Sequence, residues 1–333
     1  SFEKTITGLG GDYQNPFVIF PEVSKYYNEV KERKIQAAAL KKKEQQQWEK
    51  DNPELAKKWK AFWNGEIPQV DWASIPQKPN IATRAASGTV LSVFAQKFEN
   101  MIVSSADLSN SDKTDGFLKN SKILKKGDFS GAFLQAGVAE LTMATVMNGI
   151  AAHGGVIPVC GTFFTFSDYM KPAIRMSAIM KLPVKYLFTH DSFRVGEDGP
   201  THQPIEQEAQ LRLLEKMANL EGERSMLVLR PADATETTVA WKMAIECEGP
   251  SALILSRQNI NDLPVRAKSR FEDAMMSYKG GYIVMDSDGQ PDIVLVANGS
   301  EVATLIEGAK ILIQEKMLKV RVVSVPSEGL FRE

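Results

Sequence analysis

VIPVC (156–160), VKYLFTH (184–190), SMLVLRP (225–231) and SALILSR (251–257) are four short apolar runs rich in β-branched residues. Each has the length of a strand and lacks strict alternation, so each reads as a strand buried on both faces, the kind found in parallel sheets. The stretches between them read as helices. One opens at Asp233-Ala234-Thr235-Glu236, the spacing of a capping box. Upstream, MIVSSADL (101–108) reads as a strand with its following loop, and GAFLQAGVAELTMATVMNGIAAHGG (131–155) as one largely buried helix stopped by paired glycines. From about Ile81 this alternation predicts a doubly wound α/β domain with a mainly parallel sheet.

Beyond a polar stretch at 262–280, GYIVMD (281–286), DIVLVA (292–297) and VRVVSVPS (320–327) offer three strands, and one helix opens at GSE (299–301). Three strands and one helix are too few to cover both faces of a parallel sheet, so the expectation is a partial second α/β domain. On the other side, residues 22–63 are rich in Lys, Glu, Gln and Ala, with Trp48, Trp59 and Trp63 among them. Asp51-Asn52-Pro53 reads as a break and restart, which predicts two charged helices with an apolar stripe. An extended linker through Pro68, Pro76 and Pro79 follows.

Composition narrows the function classes. With 43% hydrophobic and 24% charged residues this is an ordinary globular chain, and a net charge of -1 gives no global attraction to nucleic acid or anionic membrane. KERK (31–34) and LKKKEQQQ (40–47) carry interspersed acids and read as solvated helix faces, not a nucleic-acid patch. No apolar run approaches the roughly 20 residues of a membrane span. Two cysteines, Cys160 and Cys247, allow no disulfide framework, and a reducing, cytoplasmic setting is expected. The start, SFEKTITGLGG, has no initiator Met and no secretory pattern, and reads as a cut or trimmed chain.

Between Phe129 and Ser167 the one formally charged residue is Glu140, inside the predicted apolar helix. An unpaired buried carboxylate is expensive and must find a donor or a proton. It serves either a structural contact or chemistry. Phe163, Phe166 and Tyr169 recur every third residue, which would place them on one helix face, as ordinary core or as a slot for a flat heteroaromatic ring. Of the three histidines, His190 follows an apolar run directly, and His202 lies in GEDGPTHQP (196–204). Loops after parallel strands are where α/β sheets bind ligands. Neither histidine has a partner at zinc spacing, so a substrate or catalytic role is a better reading than metal ligation, beside the plain alternative of an incidental loop histidine, and no metal site is expected.

GVAELTM (137–143), TFFTFSDY (162–169), THDSFRVGEDGPTHQP (189–204), LRPAD (229–233) and SALILSRQN (251–259), together with IATRAAS (81–87) and SSADLSNSDKT (104–114), resemble in order and spacing the pyrimidine-binding domain of transketolases, which use thiamine diphosphate. The resemblance covers essentially the whole chain. It divides it into the tail of a diphosphate-binding domain and helical linker (1–80), the pyrimidine-binding domain (81–262), a linker (263–279) and part of a C-terminal domain (280–333). It implies transfer of a two-carbon ketol unit from a ketose phosphate to an aldose phosphate through a thiamine-diphosphate carbanion, as in the pentose phosphate pathway.

The resemblance also implies roles. Glu140 would hydrogen-bond the aminopyrimidine ring and share its proton, a relay that needs a buried carboxyl with a raised pKa. Phe163, Phe166 and Tyr169 would line the ring pocket, with Phe163 stacked on it and Asp107 near the cofactor. Arg84, Ser111, His190 and Arg257 would contact the sugar phosphate, in place of the surface ion pairs that most arginines form. Asp198 would read hydroxyl stereochemistry, and His202 would sit by the reacting carbons as a catalytic residue. Family members hold the diphosphate and a Mg or Ca ion through a GDG motif with a later Asn, and this chain has no GDG.

The expected complete protein is therefore a homodimer, or a pair with a separate N-terminal subunit, while this chain alone is expected to be inactive. Ala139 and Leu141-Thr142 depart from residues common in the family and bear on pocket shape. Competing readings are dihydroxyacetone synthase, a 2-oxo-acid dehydrogenase β-type subunit, and a non-catalytic interaction module.

Overall fold

The computed structural model describes residues 1–333 apart from residue 193. They form two compact bodies, Ser1–Ala61 and Phe62–Glu333. The first body holds α1 (Phe2–Gly8), α2 (Pro21–Asp51) and most of α3 (Pro53–Trp63). Proline suits the first helical position because no intrahelical bond is lost there, and Pro21 and Pro53 each open a helix. Asn52 caps the end of α2, its backbone N–H and side-chain amide both donating to the Trp48 carbonyl. The apolar stripe expected on α2 is not buried at any residue.

In the second body the chain alternates as expected. In order come α4 (Thr83–Lys97), β1 (Met101–Ser105), the short turns α5 (Ser109–Asp112) and α6 (Asp115–Leu118), β2 (Phe133–Gln135), α7 (Glu140–His153) and β3 (Ile157–Phe163). Then follow α8 (Ser167–Ile179), β4 (Lys185–Thr189), α9 (Gln207–Lys216), β5 (Leu227–Leu229), α10 (Ala234–Glu246) and β6 (Ser251–Leu255). The six strands lie in the order β2-β1-β3-β4-β6-β5, every neighbour parallel. Alternate residues of β4 serve opposite faces. Leu187 joins a core around Phe94, Phe117 and Trp241, whereas Tyr186 and Phe188 join one around Met143, Met147 and Phe164. Both faces are thus covered, which is why these strands read as unbroken apolar runs.

Two sequence expectations need correction here. The stretch 131–155 is not one helix: Phe133–Gln135 add an edge strand to β1, and the helix begins at Glu140. Three residues give too little pattern to tell a short edge strand from the turn of an apolar helix. Glu140 is consequently the first residue of α7, not an interior one, and one face of that helix is exposed at Leu141, Thr142, Thr145 and Val146. Gly154, at φ +86°, ends α7 and lies against the Trp63 ring, where a Cβ would come within 2.5 Å of a ring carbon.

The remaining elements are α11 (Arg270–Met275), β7 (Tyr282–Met285), β8 (Ile293–Ala297), α12 (Glu301–Lys316), β9 (Val320–Ser324) and α13 (Glu328–Arg332). The small sheet has the order β7-β9-β8. It is mixed, with β7 antiparallel to β9 and β8 parallel to it.

A buried polar joint links the two sheets. Asp233 caps α10 by accepting from the Glu236 N–H at 2.7 Å, and the Glu236 carboxylate accepts from the Ala232 N–H, so the box closes one residue early. Glu236 also accepts from Tyr282 of β7 at 2.5 Å and Ser324 of β9 at 2.9 Å, while Arg270 bonds Asp233 at 2.6 Å. Asp233 and Glu236 are almost fully buried, so leaving their partners unpaired is expensive. Glu236→Ala should destabilise the chain by about 3–5 kcal/mol in urea unfolding. A loss below about 1 kcal/mol would show that the joint contributes little.

Candidate functional site

Because the six strands run in one direction, the loops leaving them open on one edge of the sheet. Phe163 ends β3, His190 follows β4, and Arg257 lies two residues past β6. The register sets them side by side, with Phe163 opposite Thr189 and Thr189 opposite Leu255. Helix α4 starts on this edge too. Thr83 exchanges hydrogen bonds with Ser256, its Oγ1 accepting from the Ser256 N–H at 2.7 Å, which fixes Arg84 beside the loop. Helices α7 and α8 begin on the same edge, bringing Glu140, Phe166 and Tyr169 to it.

Phe163, Phe166 and Tyr169 do not share one helix face. They occupy a strand end, a 3-10 turn and the first turn of α8. The turn still stacks them: Phe163 and Phe166 are parallel within 4° at 5.9 Å, and Phe166 and Tyr169 are 6.0 Å apart. A gap of this size does not admit a further ring, which needs about 7 Å for two stacking contacts. A ligand ring must use an outer face. His190 already lies 3.6 Å from Phe163 at 28°, so the expected stacking of a ring on Phe163 meets an occupied face, and the half-buried Phe166 is the more open platform. His202 stands edge-on to both phenylalanines, 5.3 Å from Phe166 and 6.2 Å from Phe163.

Glu140 heads α7 with 8% of its surface exposed, and no described residue gives it a hydrogen bond or ion pair. The first turn of a helix is where a carboxylate is best tolerated. A carboxyl of this kind, on the same sheet edge as an aromatic platform, suits a heteroaromatic ring whose nitrogen can share a proton with it.

The basic side of the site is built from four elements. Arg84 donates to the Ser111 carbonyl at 2.7 Å and to His190 Nε2 at 3.4 Å. Arginine cannot accept, so Nε2 is the acceptor and Nδ1–H donates to Thr189 Oγ1 at 2.9 Å, which makes His190 the neutral Nδ1–H tautomer. Burial, then Arg84, Arg257 and His202, push its pKa down to about 3. Burial followed by Arg257 also lowers the Arg84 pKa, and no carboxylate pairs with either arginine among the described residues. Arg257 packs against Gly196 in the loop that carries His202. Asp107, exposed at φ +62°, and His190, buried at φ +62°, are non-glycine residues in the left-handed region at two strand ends. Asp198 is exposed and makes no hydrogen bond or ion pair among the described residues, so the structure does not join it to the others.

Two features of the site were missed in the sequence. Asp191 and Arg230 form a buried ion pair at 2.7 Å, with Arg230 also bonding Asn298 and Glu301, which anchors the residue after His190. The buried Asp112 lies below Ser111. Among the described residues no three His, Cys, Asp or Glu side chains form a metal-binding group.

Residues 79–262 match the model of the transketolase pyrimidine-binding domain, and residues 280–333 that of the transketolase-like C-terminal domain. The chain belongs to the transketolase family. The Halalkalibacterium halodurans transketolase is 39% identical over 96% of this chain. A Leishmania mexicana transketolase structure superposes with a TM-score of 0.85 at 33% identity, covering 98% of this chain. The chain spans about half the length of these transketolases, 46% of each. A split-gene transketolase, solved as an inactive β4 tetramer, is 31% identical with a TM-score of 0.57, covering 74% of this chain and 72% of that one.

A depressed histidine has a signed consequence for this transketolase-family chain. The unfolded state takes up a proton near pH 6.5 and the folded state only near pH 3, so stability is full above 6.5 and falls progressively as the pH drops towards 3. Urea unfolding between pH 4 and 7 should show this loss, and His190→Gln should flatten it. An identical slope in the variant would show that His190 protonates freely in the folded chain.

Proposed function

We propose that this chain supplies the pyrimidine-side half of a thiamine-diphosphate ketol-transfer site, within the divisions 1–80, 81–262, 263–279 and 280–333 drawn from the sequence. The observation that carries it is the meeting, on one sheet edge, of an aromatic platform, a buried carboxylate and two arginines that, among the described residues, have no ion-pair partner. When bound, thiamine diphosphate supplies the nucleophilic carbon that accepts and passes on a two-carbon unit.

The chain's own residues prepare that chemistry. Phe166 and Tyr169 offer a stacking face for the aminopyrimidine, and Glu140 hydrogen-bonds its ring nitrogen and shares a proton with it. Arg84, Arg257, Ser111 and His190 hold the phosphate of a ketose or aldose, by charge at the arginines and by hydrogen bonding at the other two. An arriving anion lets His190 switch tautomer or take up a proton, so that Nε2 donates to it. His202, edge-on to the platform, handles the hydroxyl and oxygen next to the reacting carbons. Asp198 lies in the same loop, where a sugar hydroxyl brings the partner it lacks, and Asp107 faces the cofactor at the end of β1.

Among the described residues no three His, Cys, Asp or Glu side chains gather to hold a Mg or Ca ion, and we assign the diphosphate and its ion to a diphosphate-binding domain outside this chain. The complete protein is then a homodimer, or a pairing of two chains as in a split-gene enzyme. Two unpaired cysteines fit a reducing, cytoplasmic setting.

Ketol transfer from xylulose 5-phosphate to ribose 5-phosphate tests this reading, with thiamine diphosphate and Mg present. The purified chain alone should be silent. Adding the diphosphate-binding portion should restore turnover, and Glu140→Ala should lower the restored rate at least about 100-fold. Turnover by the chain alone, or full activity of the variant, would contradict it.

A further inference from the structure

Asp112 is fully buried, directly follows Ser111 in the chain and lies beneath the basic side of the site. Its carboxylate accepts from Ser105 Oγ at 2.6 Å, from the Thr114 N–H at 2.9 Å and from Thr114 Oγ1 at 2.7 Å. Ser105 Oγ in turn accepts from the Leu108 N–H, and the Leu108 carbonyl accepts from the N–H groups of both Ser111 and Asp112. One carboxylate therefore ties the end of β1 to both sides of the 108–114 turn. Gly161 on β3 leaves it room, since a Cβ there would stand 3.0 Å from Asp112 Oδ2 and 2.8 Å from Thr114 Cγ2. The Ser111 carbonyl, the next residue back, holds the Arg84 guanidinium at 2.7 Å.

The charges around Asp112 are few. Arg84 on α4 is attracted to it, Asp115 on α6 opposes it and is itself paired with Lys119, and the Cys160 thiol on β3 stays protonated. Burial pushes the Asp112 pKa up to about 6, against the pull of its three hydrogen bonds. Its charge opposes any anion drawn to Arg84.

We propose that Asp112 is a positioning residue for the anion clamp of Arg84, Ser111, His190 and Arg257: its carboxylate sets the 105–114 turn that places Ser111 and Arg84, and while charged it weakens anion binding. This rests on the reading of those four residues as an anion site. Protonation of Asp112 then keeps the turn's hydrogen bonds to Thr114 and removes the opposing charge, so the clamp tightens as the pH falls through about 6.

Sulfate is the probe, because it stays divalent from pH 5 to 8, and the His190 imidazole resonances of the full chain report its binding. At pH 7.5 Asp112→Asn, which keeps the shape without the charge, should bind sulfate roughly three- to ten-fold tighter than wild type. At pH 5 the two should agree. Asp112→Ala, which releases the turn, should bind more weakly at every pH, and its His190 should titrate closer to an ordinary histidine as Arg84 moves away. Wild type and Asp112→Asn binding alike at every pH would overturn the role of Asp112 while leaving the clamp standing, and that comparison decides even if Asp112→Ala does not fold. A wild-type chain that binds no sulfate at any pH would remove the clamp itself, and the role of Asp112 with it.

Discussion

Six strands hydrogen-bonded in one direction impose the constraint on which everything else here depends. Parallel pairing forces each connection to cross back over a face, so a helix starts where a strand ends. Residues far apart in the chain are thereby delivered to one edge: Arg84 at the start of α4, Asp107 and Ser111 after β1, Glu140 at the head of α7, Phe163 at the end of β3, His190 after β4 and Arg257 after β6. None of these side chains is needed to pack the sheet, whose faces are filled by other residues of the same strands. Chemistry is therefore free to occupy the edge.

Rigidity of that edge comes from buried polar groups behind it. Asp112 holds the turn after β1, Thr83 and Ser256 fasten α4 to the end of β6, and Asp191 is clamped by Arg230. The Arg230 pairing reaches Asn298 and Glu301 beside the small sheet, so the residue next to His190 is held partly from the C-terminal region. Asp233, Glu236 and Arg270 form a second, separate tie between the same two parts. Removing one member of such a group leaves the others desolvated and unpaired, so the loops stay in place although two non-glycine residues, Asp107 and His190, sit at positive φ.

Most of the large parallel sheet was legible because its central strands are buried on both sides and read as continuous apolar runs. Phe133–Gln135 was not, because three residues at a sheet edge carry no period of their own and sit in front of a helix of similar composition. That error displaced Glu140 from the head of its helix to the middle. The spacing of Phe163, Phe166 and Tyr169 suggested a helix face and proved to be a strand end, a turn and a helix start, whose rings stack on one another. The antiparallel pairing of β7 with β9 depends on contacts that no local pattern records. Nothing local in SNSDKT marks Asp112, since its burial comes from β1 and β3, which meet it only in the folded chain.

On the proposed reading, the pyrimidine side of the site is formed by this chain itself. Thiamine without its diphosphate tests it most directly, by the ring-current shifts of its aminopyrimidine protons when the chain is added. Upfield shifts that saturate with wild type and disappear in Phe166→Ala are predicted, because the open aromatic face is at Phe166. No shift with wild-type chain at millimolar thiamine, or an unchanged shift with the variant, would contradict the account.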